Sequence, residues 1–423
     1  MFFKNNKEKL LRAVEDNNQL MVKTLQELIR MPSITGDEGK IQEKVAGIMK
    51  NMGLKVETLV ANKEEVSKHP AYIDVPYAYE GRPNVIGKLE GQGEGRSIFV
   101  VGHIDVVPPE PVSSWKHDPW GATIEGNRLY GRGSFDMKAG VCANLFAVKS
   151  IIDAGIQLPG DLLIGSTIEE ELGGGGGLLA CLLNGYRADA LMTTEPISKI
   201  AIAHPGILYF RVKVTGKTAH AARSHLGVNA IGKMLKIYDA LDKLDQDRAA
   251  KLSFPLIEQD SGRSCNLNIG TLRAGDWVST VAGFADMECR MSFVIGETEE
   301  QAKAEVEKVI ADVVKNDEWL TENPPEVEWF GWHTDPWLQD DKHEFVQTVK
   351  TVADEVLGKP VEIVGKPGGL DIRFAKYFNI PALSIGPQGG NIHGVDEYVE
   401  LDSLLLNTKI VALSILKWSS SEK

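Results

Sequence analysis

The sequence predicts an α/β protein carrying an inserted α+β domain, on two contrasts of texture. Ser97-Ile98-Phe99-Val100-Val101, Asp161-Leu162-Leu163-Ile164-Gly165-Ser166-Thr167, Asp189-Ala190-Leu191-Met192-Thr193-Thr194 and Ala382-Leu383-Ser384-Ile385 are short apolar runs, as in strands buried on both faces. Between the third and the fourth, Ile207-Leu208-Tyr209-Phe210-Arg211-Val212-Lys213-Val214 alternates in the manner of a half-buried antiparallel strand. With 423 residues, two domains are the natural expectation. The insert is placed at 206–333, leaving 1–205 and 334–423 as a discontinuous outer domain.

The elements follow in order. Helical periodicity over 7–30 stops before Met31-Pro32, a second helix over 37–52 ends at Gly53, and Leu54-Lys55-Val56-Glu57-Thr58-Leu59 alternates as a strand. Residues 62–83 read as a surface loop before the strand Asn84-Val85-Ile86-Gly87-Lys88-Leu89. A loop rich in Pro and Trp follows Asp105, and a helix over 137–154 has Asp136 at its N-cap position. The insert reads β–α–β–β–α, with helices over 228–244 and 298–314, strands at 265–274 and 284–294, and a last strand at 326–330. Helices over 341–357 and 401–418 close the chain.

Composition excludes several classes. A net charge of -13 repels phosphate backbones and no basic patch offsets it, so nucleic acid is not an expected partner. No leader-like segment and no stretch of roughly 18 apolar residues occurs, so no membrane is expected and the cytoplasm is the expected location. Cys142, Cys181, Cys265 and Cys289 lie far apart, fit neither a disulfide framework nor a thiolate metal site, and are expected to be reduced and buried.

The chemistry lies where strands end. His103 and Asp105 follow the first apolar run and point the same way by the period of two. Asp136, Glu170 and Glu171, Glu195 and His393 each follow a further predicted strand or loop. One such residue alone is better explained as a cap or a solvated charge. Five carboxylates gathered at one sheet edge, however, would repel and be desolvated at a cost of several kcal/mol unless cations neutralised them. Two histidines with a bridging and two terminal carboxylates suit a pair of divalent first-row metals.

Gly102-His103-Ile104-Asp105, Gly131-Arg132-Gly133-Ser134-Phe135-Asp136-Met137-Lys138, Glu169-Glu170-Glu171-Leu172-Gly173, Thr194-Glu195-Pro196 and His393-Gly394 together resemble the M20 metallopeptidase and deacylase family, in its motif order and across essentially the whole chain. The resemblance implies a zinc-exopeptidase-like outer domain, with a mixed, mainly parallel sheet flanked by helices, and a ferredoxin-like insert that serves as lid and dimerisation domain. It implies that His103, Asp136 and Glu195 bind one zinc and Asp136, Glu171 and His393 the other, cobalt or manganese being alternatives. Glu170 would be the general base, Asp105 would orient His103 through its second ring nitrogen, and His220 would stabilise the oxyanion in the partner subunit's site. Asn268 and Arg290 would bind the substrate's carboxylate, an Arg fork being suited to one.

The expected activity is hydrolysis of the acyl–amide bond of an N-acyl amino acid or related N-acylated amine, on the pattern of acetylornithine deacetylase, by a homodimer acting on a small molecule. A metallo-dipeptidase or carboxypeptidase using the same residues is the alternative, and a non-catalytic metal-binding homologue a further one. Gly368-Gly369-Leu370-Asp371 lacks the hydroxyl residue usual in that family turn, and Ser279-Thr280-Val281-Ala282-Gly283 replaces its more common Asn-Val-Val-Pro, both bearing on specificity. Trp115 and Trp120 read as entrance-lining or packing residues, and the run Gly173–Gly177 as close backbone packing, since it lacks a phosphate cradle's Gly-Lys-Ser/Thr ending.

Overall fold

A computed structural model describes residues 2–422. The chain divides into two compact units, the first comprising 1–202, 339–364 and 370–423 and the second 203–338 and 365–369. In chain order the principal strands of the first unit are β1 (Lys55–Leu59), β2 (Asn84–Leu89), β3 (Ile98–His103), β4 (Leu162–Thr167), β5 (Leu191–Thr193) and β6 (Ile200–His204), the last leading into the second unit. The second unit holds β7 (Gly206–Thr215), β8 (Leu267–Ala274), β9 (Phe284–Phe293) and β10 (Glu326–Thr334), after which β11 (Ala382–Ser384) returns to the first.

The first unit's sheet runs β1-β2-β4-β3-β5-β11-β6. Its middle strands β4, β3, β5 and β11 pair in parallel, whereas β1, β2 and β6 join antiparallel. Every residue of β3 is buried, as its unbroken apolar sequence requires of a strand covered on both faces. Helices α1 (Phe2–Asp16), α2 (Asn18–Ile29), α3 (Gly39–Asn51), α4 (Lys138–Asp153), then α7 (Glu344–Leu357) and α8 (Leu401–Ser419) flank the sheet, α4 packing on β3 and α8 on α4, α7 and α1.

The helix expected over 7–30 begins at Phe2 and is divided at Asn17, whose amide group donates to Ala13 O, Ser150 Oγ and Asp153 Oδ2. The supposed surface loop over 62–83 contains a short helix, Lys63–Val66, and sinks Ile73, Val75 and Tyr79 into the unit. A small sheet absent from the expected elements pairs Thr123–Glu125, Arg128–Tyr130, Tyr398–Glu400 and Gly389–Gly390. All four cysteines are free and buried.

The second unit is an antiparallel sheet, β8-β9-β7-β10. Helices α5 (Ala230–Lys251) and α6 (Glu299–Lys315) cover one face, where Phe210, Val212, Met287 and Met291 meet Met234, Ile237, Leu241, Val306 and Ile310. On the other face Arg211 bridges Glu288 and Glu328. That division is the alternation of β7 made physical. Thr298 and Gln301 form a capping box that starts α6.

The glycine run shows how tightly the segment after β4 is built. A Cβ on Gly177 would lie 2.2 Å from the Ile168 carbonyl oxygen, a backbone atom beside Glu169–Glu171. Gly177→Ala is therefore expected to cost about 1–3 kcal/mol by overpacking. Gly47→Ala, on α3 with nothing within 4 Å of the added methyl, is expected to stabilise by about 0.5–1 kcal/mol. Urea unfolding of both variants measures the contrast.

Candidate metal centre

The parallel strands end where the acidic residues begin. His103 closes β3 with its ring fully buried, and Asp105 follows in the loop beyond. His103 Nδ1 lies 3.0 Å from the backbone oxygen of Asp105 and 3.5 Å from its carboxylate. The carbonyl is thus the nearer acceptor for an Nδ1–H, which turns Nε2 toward the other carboxylates. The Asp105 carboxylate does more than was expected of it: it accepts the N–H groups of Glu170 and Glu171 and the hydroxyl of Thr35.

Around His103 Nε2 stand Asp136 Oδ1 at 3.2 Å, Glu195 Oε2 at 3.7 Å and Glu170 Oε2 at 3.9 Å. His393 Nε2 lies 3.1 Å from Glu171 Oε2 and 3.4 Å from Asp136 Oδ2. One ligand atom each from His103, Asp136 and Glu195 lie within 4.8 Å of one another, and so do those of Asp136, Glu171 and His393. Asp136 belongs to both groups, offering one oxygen to each histidine.

Asp136 is not the cap of α4, contrary to expectation: the helix starts at Lys138, and Met137 occupies the cap position without capping it, its sulfur accepting the His103 N–H instead. Instead the backbone N–H of Asp136 donates to Glu397, and its carboxylate is turned to the two imidazoles. Glu169, adjoining Glu170, takes a left-handed conformation at φ 70°, and His393 does the same at φ 58°. Such backbone conformations persist only where surrounding bonds hold them. For Glu169 those bonds come from the Gly176 N–H and the Tyr79 hydroxyl, both donating to its carboxylate.

The electrostatics state what the cluster needs. Burial raises the pKa of Glu170 well above the usual carboxylate range, His103 pulling it down and Glu195 pushing it further up. Burial likewise raises Glu171 to about 7, and Asp371, packed against Gly174, to about 7. The carboxylates of Asp136 and Glu171, accepting from its ring N–H, raise His393 to about 10. Burial opposes the imidazolium of His103, yet Glu195, Asp105 and Asp136 raise its pKa well above normal. In both directions the cluster recruits positive charge, and Glu171 Oε1 is buried without a hydrogen-bond partner. The two donor sets therefore fit divalent cations in charge, donor type and spacing.

The candidate ligands His103, Asp136, Glu171, Glu195 and His393, with Asp105 and Glu170, all lie in the first unit. His220, Asn268 and Arg290 belong to the second. His220 is exposed, and its Nδ1 accepts the Ala222 N–H at the head of a 3₁₀ turn. Asn268 and Arg290 face each other across β8 and β9, and Arg290 donates to Asn266 Oδ1 and the Pro367 carbonyl. Trp115 lies against the Arg132 guanidinium and Trp120 against the Lys138 ammonium. Sequence reasoning missed Glu397, which accepts the N–H groups of Gly133, Phe135 and Asp136 and pairs with Arg132. Nothing in its neighbourhood of the sequence marks it out, since its partners lie more than 250 positions away.

The chain as a whole has similar counterparts among known proteins. The chain is 28% identical to the N-formyl-4-amino-5-aminomethyl-2-methylpyrimidine deformylase of Bacillus subtilis, over 98% of each sequence. In fold it is similar to human carnosine dipeptidase 1, with TM-score 0.77 and 16% identity over 98% of this chain and 99% of the other. It is also similar to a Bacillus subtilis peptidase of the M20 family described as dinuclear metal binding, with TM-score 0.63 and 15% identity over 95% and 98%. Residues 99–417 match the profile of peptidase family M20/M25/M40, a span that takes in every candidate ligand, so the chain belongs to that family of amide-bond hydrolases.

Proposed function

We propose that the protein is a di-metal deacylase that removes a small acyl group, formyl foremost, from an N-acylated amine. The observation that carries this reading is the pair of histidine and carboxylate triads sharing Asp136, with Glu170 as a further buried carboxylate beside them. His103, Asp136 and Glu195 would hold one cation and Asp136, Glu171 and His393 the other. Imidazole and carboxylate donors suit zinc, with cobalt or manganese as alternatives. When bound, such a pair supplies Lewis acidity to the amide carbonyl and acidity to a water.

The chain's own residues supply the rest. Glu170 takes the proton of the attacking water and returns it to the departing amine nitrogen. Asp105 holds Glu170 and Glu171 by their N–H groups, which fixes the base relative to His103. His220 is itself exposed, and with Nδ1 accepting the Ala222 N–H its Nε2–H is available to an oxyanion, in our reading that of a second subunit. A homodimer through the second unit is supported by Ile231, Leu235 and Tyr238, an exposed apolar stripe on α5, beside the edge position of β8 and the exposed Trp277 and Val278. Arg290, with donors to spare beyond Asn266 and Pro367, and Asn268 would hold a polar group of the amine, a carboxylate where one is present.

The name of the Bacillus subtilis relative supports a formyl amide over an acetyl one. Three outcomes test the reading. Glu170→Ala is expected to lower kcat about 10²–10⁴-fold while metal content measured by elemental analysis stays at the wild-type value; retained activity would remove Glu170 as the base. Across N-formyl, N-acetyl and N-succinyl amines, with and without a carboxylate, and dipeptides, kcat/KM is expected to be highest for a formyl amine, by about tenfold or more over its acetyl counterpart. Dipeptides turning over fastest would reverse the assignment to a peptidase. Finally, Glu170→Ala and His220→Ala proteins, each inactive, are expected on mixing to recover about a quarter of wild-type activity, because in a two-fold dimer one site of each mixed pair is whole. No recovery after subunit exchange would exclude His220 acting across the interface.

A further inference from the structure

Two loops carry the residues that join the candidate cation positions, and they are far apart in sequence. Residues 131–136 bring Asp136, and residues 391–397 bring His393. Between them lies a pair that no comparison assigns, Arg132 and Glu397, the first 1% and the second 0% exposed. Arg132 Nη1 donates to Glu397 Oε2 at 2.6 Å. Arg132 Nη2 donates to the backbone oxygens of His393 and Gly394, each at 3.1 Å. Glu397 in turn accepts the N–H of Gly133 at 3.0 Å, of Phe135 at 2.8 Å and of Asp136 at 2.9 Å. Each loop is therefore held by the charged side chain of the other. Trp115, 5.2 Å from the guanidinium, covers the pair.

We propose that Arg132 and Glu397 are positioning residues that set the distance between Asp136 and His393, and so build the Asp136, Glu171 and His393 position before any cation arrives. The inference rests on the ligand assignments proposed above. Three features favour positioning over mere support. The bonds run to the backbone of Asp136 and His393 themselves, the residues whose side chains would be ligands. His393 sits at φ 58°, a left-handed conformation uncommon for any residue but glycine, and the bonds from Arg132 to its carbonyl and that of Gly394 hold the loop there. A buried ion pair is weak evidence for stability in itself, and replacement by apolar residues is often neutral, so one whose bonds converge on two ligand loops serves geometry.

The two residues are also separable. Arg132→Lys keeps a cation opposite Glu397 but cannot bond Glu397, His393 O and Gly394 O with a planar fork, so it frees the His393 loop alone. Glu397→Gln puts an amide N–H₂ against either the Phe135 and Asp136 N–H groups or the Gly133 N–H and Arg132, so it loosens the loop carrying Asp136, which both positions share.

The test measures zinc binding to the chelated full-length protein by calorimetry, with far-UV circular dichroism and thermal melts on every variant. Wild type is expected to bind two equivalents. Arg132→Lys is expected to weaken one of them about tenfold or more and leave the other within about twofold, and Glu397→Gln to weaken both. KM for a turned-over amide should stay near wild type while kcat falls. Two equivalents with unchanged affinity in a folded Arg132→Lys protein would overturn the proposal, even if its melting temperature fell, because that is what a purely structural role predicts. Should either variant fail to fold, amide hydrogen exchange on the wild type decides: segments 131–137 and 391–397 are expected to stay protected after chelation, and exchange at loop rates there would mean that the cations hold the loops. A wild type that binds no divalent cation would instead refute the ligand assignments and leave the exchange result as the measure of the pair.

Discussion

Buried negative charge is the constraint to which the first unit is built. Asp136, Glu170, Glu195 and the side chain of Glu171 are withdrawn from water at one sheet edge, where desolvation and neighbouring carboxylates both disfavour ionisation of Glu170 and Glu171. The protein meets that demand by layers. Two imidazoles stand among the carboxylates, and backbone N–H groups are supplied to the acidic residues that aim them. Arg132 and Arg82 neutralise the outer acids, Glu397 and Glu38. What is left over is charge of the size that a pair of divalent cations brings.

The supports differ in kind from the residues they support. Asp105, Glu169 and Glu397 are all fully buried carboxylates, and each accepts main-chain N–H bonds near a candidate ligand or base. Asp105 holds the Glu170–Glu171 turn, Glu169 holds the glycine run against it, and Glu397 holds the Asp136 loop. A carboxylate bonded to several N–H groups is a rigid joint, because each bond fixes the direction of a peptide plane. The centre is thereby assembled on backbone placed by side chains.

Much of this was legible in the sequence because it lies at strand ends. The unbroken apolar texture of β3 and β4 located His103 and the glutamates, and the alternation of β7 marked the second unit. Local signals misled at Asp136, which has the residue type of a helix cap but turns its carboxylate to two histidines 33 and 257 positions away in the chain. Residues 62–83 read as surface because their polar residues mask Ile73, Val75 and Tyr79, which are buried where the glycine run leaves no side chains of its own. The pairing of Glu397 with Arg132 was invisible for a different reason. Their meaning lies wholly in partners from the other end of the chain, and one sequence carries no trace of such pairing.

Strand β11 has a consequence for the order of events in folding. It comes from residues 382–384 but lies between β5 and β6, two strands that precede the second unit. The sheet therefore has a gap in its interior until residues 382–384 have been made, and the chain just after them delivers His393 and Glu397. Interior pairing across some 190 residues is entropically costly to nucleate and slow. Until it forms, β5 presents an open apolar edge, which ties completion of the sheet to completion of the centre.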